Sequence, residues 1–493
     1  MTPPTAAAAS PPLDVDAARL RELGYEQELD RRLPFLGNVA MGFAATSPVV
    51  GLYAVVLVGT VVAGPAWVWV LPVALAGQCL LLAVYSELSS QFPLAGGAYQ
   101  WSRRLMGPAY GWFGGWVAIC AYAVANTTIA YLGAPWALTL LGIAPTPGAI
   151  VATGVVLVLV CSLAGVFGVD LLSRAVQAGI AAEIVASVGI GIALLLVFRE
   201  QGWAIFGETF GAEALSGGSV GAGLLAALAV GGWVFIGFDA CVAAAEETQD
   251  AARHVPRAIW FALLGVGALV MLNAFAVTLA HPDPAAIVNG GDIDPVTTSV
   301  VSSFGSWSAK PFAAIVLTAF LACGMSAQAL TARAIYSIAR DDVLPASRFL
   351  RRVDRRKTPI GALAATTVIA CLGLLLGLDA TAVGSLIAFG TAAIYVSFLL
   401  TALAALIARL RGTWIPAGSV QLGRLGLVVN LLAVAWLAFE TANIAWPRTS
   451  LAPPDAPWYQ VWAAPLVLAL IGTVGLAYLL TAKPHHRGRS DAL

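Results

Sequence analysis

The chain has 493 residues, 59% of them hydrophobic and only 11% charged, with no formal net charge and a mean hydropathy of +0.86. Soluble domains carry about 25% charged residues, so this chain lacks the polar surface to coat a water-soluble globule. The neutral balance also argues against a nucleic-acid partner.

Residues 1–32 are Ala/Pro-rich and then charged, with no apolar core ahead of Leu33, so no signal peptide is expected there. Residues 13–32 read as a short amphipathic helix on the cytoplasmic face, with Arg31 and Arg32 anchoring the entry to the first apolar segment. Spanning a bilayer takes about 20 apolar residues. Twelve such windows follow: 35–62, 66–91, 109–140, 148–168, 171–198, 222–247, 257–280, 311–339, 359–378, 381–408, 425–446 and 459–481. The expected fold class is an all-α polytopic membrane protein.

Lys and Arg set the orientation. With the N-terminus inside, the inner segments hold 22 of them and the outer segments three, Arg199, Lys310 and Arg448. That bias predicts both termini in the cytoplasm; the expected location is the plasma (inner) membrane. The basic run 348–357 reads as a positive-inside anchor, with anionic lipid as an alternative ligand. Cys79, Cys120, Cys161, Cys241, Cys323 and Cys371 all lie in apolar segments without a CxxC pair and read as packing residues.

Two segments carry breaks. The first contains Ala45-Thr46-Ser47-Pro48-Val49-Val50-Gly51. Proline lacks an N–H and excludes the carbonyl four residues back, whereas Ser47 as N-cap and Pro48 as first helical residue suit a new half-helix. The free N–H groups of Val49, Val50 and Gly51 would then face a gap and attract an anion such as an amino-acid carboxylate. An ordinary proline kink is the plainer alternative.

The sixth segment contains Gly231-Gly232-Trp233-Val234-Phe235-Ile236-Gly237-Phe238-Asp239. A break near Ile236 and Gly237 exposes the carbonyls of Trp233 to Phe235, which suit an ammonium. Asp239 beside them is either a proton-sensing group or a capping carboxylate, since an intramembrane acid is costly unless it works. Two breaks five spans apart form the pattern of an inverted repeat. An anion-seeking N-terminus opposite a cation-seeking C-terminus fits a zwitterion.

Leu23-Gly24-Tyr25-Glu26-Gln27-Glu28-Leu29-Asp30-Arg31, Tyr85-Ser86-Glu87-Leu88 with Pro93-Leu94-Ala95-Gly96-Gly97-Ala98-Tyr99-Gln100-Trp101, Gly237-Phe238-Asp239-Ala240 with Glu246-Glu247-Thr248 and Val255-Pro256-Arg257-Ala258-Ile259, Arg333 with Ala339-Arg340-Asp341-Asp342-Val343-Leu344-Pro345, and Leu422-Gly423-Arg424-Leu425-Gly426 with Asn430 occur in that order. Together they resemble the amino acid–polyamine–organocation (APC) transporter superfamily, most closely the amino acid/choline branch that includes fungal GABA and choline permeases. The resemblance covers nearly the whole chain. It implies a ten-helix core with two added helices, working by alternating access, and substrate binding at the two breaks. It also implies pH sensing at Asp239 and gating at Trp233, for which packing is an equal reading.

The expected organisation is an N-terminal segment 1–32, a first repeat 33–198, an outer loop 199–221, a second repeat 222–410, two added helices in 411–482 and a tail 483–493. The expected substrate-binding residues are Thr46, Ser47, Val49, Val50, Gly51, Tyr122, Trp233, Phe235, Ile236, Gly237 and Asp239.

Some proton-coupled relatives place a lysine in the fifth helix; this chain has none there. Glu183 stands there instead, on a stripe Gly179-Glu183-Ser187-Gly191 that faces protein. It is a candidate proton carrier beside Asp239, or a neutral acid bonded between helices. Sodium would need carbonyls of the first helix with Ser326 and Thr331.

Tyr122 and Asn126 share a face and either line the cavity or bond between helices, as does Gln328. Glu87, Glu246 and Glu247 read as structural, and Glu440 as an outward-end cap. His254, His281, His485 and His486 are too scattered for a metal site.

The expected function is a secondary active permease for amino acids or related amines, by proton-coupled symport or exchange. A choline or polyamine carrier and a non-transporting amino-acid sensor are the alternatives. A membrane-embedded enzyme is disfavoured, because no clustered His, Asp or Ser/His set lies near one interface. The expected partners are a small-molecule substrate and the lipid bilayer, with no cofactor or metal; monomer and homo-oligomer both stay open.

Overall fold

The computed structural model describes residues 15–378, 383–452 and 456–487. Residues 1–14, the first positions of the 381–408 window and the end of the 483–493 tail lie outside the described residues. Among the described residues, twelve helices are long and apolar enough to cross a membrane: α1 Phe35–Tyr53, α2 Val56–Gln91, α3 Pro108–Leu141, α4 Pro147–Val166, α5 Leu172–Leu196, α6 Val220–Ala243, α7 Ala251–Ala280, α8 Ser306–Arg340, α9 Ile360–Leu378, α10 Gly390–Leu410, α11 Gly423–Ala445 and α12 Ala463–Ala482. The protein is therefore a multi-pass, all-α membrane protein.

Burial sorts these helices into a core and a sheath. α4 has a mean hydropathy of 2.6 yet only 22% of it is buried. A helix apolar all round and largely exposed is at home only against lipid. α11 and α12 are exposed in the same way, whereas α1 and α3 are mostly buried. α3 runs along α8 and α10, and α1 packs against α5, α7 and α8.

The first boundary differs from the sequence expectation of a segment 35–62. The backbone steps at Ala54 and Val55, resumes as Val56–Ala63, and turns through the 3-10 stretch Gly64–Trp69. Gly64 at φ +60 and Pro65 make that turn, since glycine alone takes positive φ freely.

The N-terminal helix, described from Val15, also ends earlier than expected, at Glu22. Beyond it the chain runs extended into the protein, burying Leu23, Tyr25 and Leu29. It ends in a parallel bridge between Leu33 and Thr248. Arg31 anchors there as expected, with Nη1 3.2 Å from Asp16 and Nε on the Glu246 carbonyl. The start and end of the described chain share one face: the helix Gly97–Met106 docks on the first, through Arg104 on the Leu23 carbonyl, and α3 meets the 3-10 turn Pro484–His486. This is the terminal face of the protein.

Candidate functional site

α1 is two helices, Phe35–Thr46 and Pro48–Tyr53, joined at Ser47. Ser47 sits at φ +39, ψ 112, a conformation that non-glycine residues rarely take and that surrounding structure must hold. Its hydroxyl accepts the Val50 N–H at 3.1 Å, so Ser47 is the N-cap expected from the sequence and the break is more than a kink.

The expectation of open N–H groups needs correction. The Val49 N–H donates to Glu183 Oε1 at 3.0 Å, and the Ser47 hydroxyl donates to the same oxygen at 2.6 Å. Val50 is used by Ser47 Oγ, and the Gly51 N–H by the Ser47 carbonyl at 2.9 Å. The group that meets this N-terminus is thus the protein's own carboxyl. Glu183 is fully buried, and its Oε2 has no hydrogen-bond partner among the described residues.

α6 breaks through the 3-10 turn Gly232–Phe235, an extended Ile236 at φ −102, ψ 153, and Gly237 at φ +113. The two breaks touch. A Cβ on Gly237 would lie 2.5 Å from the Ala45 carbonyl oxygen and 2.6 Å from its carbon, so both the backbone angle and the neighbour demand glycine. The Trp233 carbonyl, expected to be open, takes the Ile236 N–H at 3.4 Å, and the Gly232 carbonyl takes the Tyr395 hydroxyl at 3.3 Å.

Asp239 stands at the start of the short helix Ala240–Ala243, yet its side chain makes no capping bond. The capping alternative is therefore overturned. Its Oδ2 accepts the Tyr122 hydroxyl, while Oδ1 has no partner among the described residues.

Thr46, Val50, Gly51, Tyr122, Trp233, Ile236, Gly237 and Asp239 line one cavity of about 30 Å³ at the two breaks. That holds about two waters and no amino acid, so a substrate needs the helices to part. Ser47 and Val49 lie behind this lining, in the bonds to Glu183, and Phe235 is packed in the core. The sequence reading missed Ala45 of α1, Ala125 and Ile129 of α3, Cys323, Ala327 and Leu330 of α8 and Ile394 of α10, which complete the wall. Ala327 stands four residues after Cys323, and that helical spacing was the available signal. Tyr122 and Asp239 also border a second cavity of about 20 Å³ toward the terminal face, lined by Gly96, Tyr99 and Ile338. Their hydrogen bond partitions the two spaces.

The remaining polar candidates bond between helices. Asn126 Nδ2 donates to Thr331 Oγ1 at 2.7 Å and to the Tyr122 carbonyl at 2.8 Å. Gln328 joins Ser162 and the Val158 carbonyl of α4. The Ser326 hydroxyl is held by the Met41 carbonyl at 2.5 Å. No group of His, Cys, Asp and Glu able to hold a metal ion occurs among the described residues.

The terminal face is closed by buried ion pairs. Arg333 meets Glu247 with two bonds of 2.7 and 2.6 Å, and Arg340 meets Glu246 with bonds of 2.9 and 2.7 Å. Arg103 pairs with Asp341, which also accepts Tyr25 and Tyr99. Burial and the Asp341 charge hold the Tyr25 phenol up at about 12, so it stays a donor. Glu87 pairs with Arg409 and accepts the Leu422 N–H. The structural reading of these acids agrees with their partners.

Residues 36–473 match the amino acid permease family. The chain is 27% identical over 462 residues to an uncharacterised amino-acid permease of Schizosaccharomyces pombe, covering 89% of this chain and 82% of that one. It is 28% identical over 510 residues to the amino-acid permease BAT1 homolog of Oryza sativa subsp. japonica, covering 96% and 95%. It is 28% identical over 402 residues to the mitochondrial cationic amino acid transporter 3 of Arabidopsis thaliana, covering 78% and 63%. With a match of that length on twelve apolar helices, the chain belongs to the amino acid permease family and is an amino acid transporter, not an enzyme.

Proposed function

We propose that this permease moves a zwitterionic amino acid together with a proton, by alternating access at the α1 and α6 breaks. The observation that carries the reading is Glu183 seated on the N-terminus of the second α1 helix. While ionised, it satisfies the positive end of that helix, and a substrate carboxylate beside it would be a second negative charge in the same buried place. Protonation removes the first charge and leaves the N-terminus to the substrate. Proton and carboxylate then bind together, which is symport. Asp239 balances the substrate amine and, through Tyr122, bears on the partition toward the terminal face.

Residues 33–198 and 222–410 act as the two repeats of the core, with 411–482 added outside it. The 22-to-three distribution of Lys and Arg supports cytoplasmic termini, and the plasma membrane is the location we propose. In that orientation the ion pairs of the terminal face are the inner closure. The relatives in rice and Arabidopsis, an amino-acid permease and a cationic amino acid transporter, support an amino acid over other solutes.

A second reading, a choline or polyamine carrier, is favoured by the same N–H groups being already occupied, because such substrates bring no carboxylate. Uptake by proteoliposomes separates the readings. A radiolabelled panel of zwitterionic, basic and acidic amino acids, GABA, choline and putrescine is offered with and without an inward proton gradient. Saturable, gradient-driven uptake of a zwitterion supports the proposal. Uptake confined to choline or putrescine overturns it, and binding without flux makes the chain a sensor.

A further inference from the structure

A cavity of about 430 Å³ lies on the face away from the chain termini, between the start of α6, the end of α11 and the start of α12. It is far roomier than the central cavity. Leu225, Trp446, Arg448, Thr449, Ser450 and Trp462 contribute to its wall. Trp446 and Trp462 are largely exposed, as are Trp458 and Tyr459 nearby in the chain. Such a cluster at helix ends marks the headgroup level of a bilayer. On the membrane side, Leu225 of α6 and Leu466 and Leu470 of α12 are exposed apolar residues suited to acyl chains.

Arg448 is the cation of this wall. Its Nη1 and Nη2 donate to the Asn443 carbonyl and to Asn443 Oδ1, each at 2.5 Å. Neither bond is to an anion, and Arg448 forms no salt bridge within 4.0 Å among the described residues. Desolvation lowers its guanidinium from the usual arginine value, against the opposing pull of Glu440. A half-buried guanidinium with neutral partners, flanked by the hydroxyl residues Thr449 and Ser450, is the chemistry of phosphate recognition.

We propose that this cavity holds the headgroup of an anionic phospholipid from the leaflet away from the termini. Its phosphate sits on Arg448, its glycerol lies between Trp446 and Trp462, and its acyl chains run down the apolar surface of α12. A soluble anion would use Arg448 and leave the aromatic and aliphatic surface idle, which is why the lipid is favoured.

The site also reaches the moving part of the protein. Asn443, held by Arg448, donates through Nδ2 to the Leu225 carbonyl of α6 at 3.0 Å and to the buried Glu440 carboxylate at 3.4 Å. α6 is the helix that breaks at Gly237. Lipid on Arg448 therefore steadies the first half of α6. The inference stands on the cavity and does not rest on the proton-coupling proposal.

Native mass spectrometry of the delipidated full chain tests it. The probes are phosphatidylglycerol, phosphatidylcholine and glycerol 3-phosphate. Wild type is expected to retain phosphatidylglycerol over phosphatidylcholine and to ignore glycerol 3-phosphate. Arg448→Gln should weaken phosphatidylglycerol about tenfold, the scale of a lost charge-assisted contact, and Arg448→Lys should recover part of it. Ser450→Trp, which fills the cavity and spares the Arg448 bonds, should weaken it as well and serves if Arg448→Gln does not fold. Undiminished phosphatidylglycerol binding in Ser450→Trp and any folded Arg448→Gln overturns the site. Glycerol 3-phosphate binding as tightly as the lipid overturns the lipid assignment.

Discussion

The Ser47 hydroxyl of α1 donates to Glu183 Oε1 of α5 at 2.6 Å, and the Val49 N–H adds a second bond to that oxygen at 3.0 Å. One carboxylate thereby ties α5 to the broken turn of α1. Any change in its charge acts directly on the helix end that faces the central cavity.

Gly237→Ala is expected to fail at the contact between the breaks. Its Cβ would overlap the Ala45 carbonyl, and alanine is strained at φ +113. Backbone on both sides leaves no flexible atom to yield, so the cost is above the roughly 1 kcal/mol of an ordinary Gly-to-Ala strain. Thermal melting of the purified protein should fall and uptake should be lost. A variant with wild-type melting and uptake would show that the two breaks do not need this close approach.

Tyr122→Phe removes the one side-chain donor to Asp239 among the described residues. A buried carboxylate without that bond costs about 1–3 kcal/mol, less than a cavity-forming change in the core. The expected outcome is a folded protein with substrate affinity reduced about tenfold or more, read by scintillation proximity binding. Unchanged affinity would remove Tyr122 and Asp239 from the substrate site.

Glu247→Gln leaves Arg333 buried without its counter-ion, and breaking such a pair costs about 3–5 kcal/mol. The closure at the terminal face should loosen. Cys323, which lines the central cavity, should then react faster with maleimide applied from that face, in a background lacking the other five cysteines. An unchanged rate would mean that this ion pair does not hold the closed state.

Much of the site was legible because its signals are local. Pro48 after Ser47, and the glycines around Trp233, interrupt apolar runs that have no other reason to break. Glu183 was visible as a lone acid on a small-residue stripe. What it touches was not, because α1 and α5 are brought together by packing that one helix's spacing does not encode. The same holds for Ile129, Ala327 and Ile394, whose apolar side chains look like any core residue until three helices meet. The shortened N-terminal helix shows the reverse case. Residues 23–33 carry a polar pattern that suits a surface helix, yet tertiary bonds to Glu246, Glu247 and Asp341 draw them out extended.

Accumulation by Glu183→Gln in proteoliposomes tests the central claim most directly, with counterflow of the same substrate as the control. Glutamine is as neutral as the protonated acid and fills the same space, but cannot take or release a proton. The account predicts preserved counterflow and no accumulation driven by an inward proton gradient. Accumulation at the wild-type level under that gradient would contradict it.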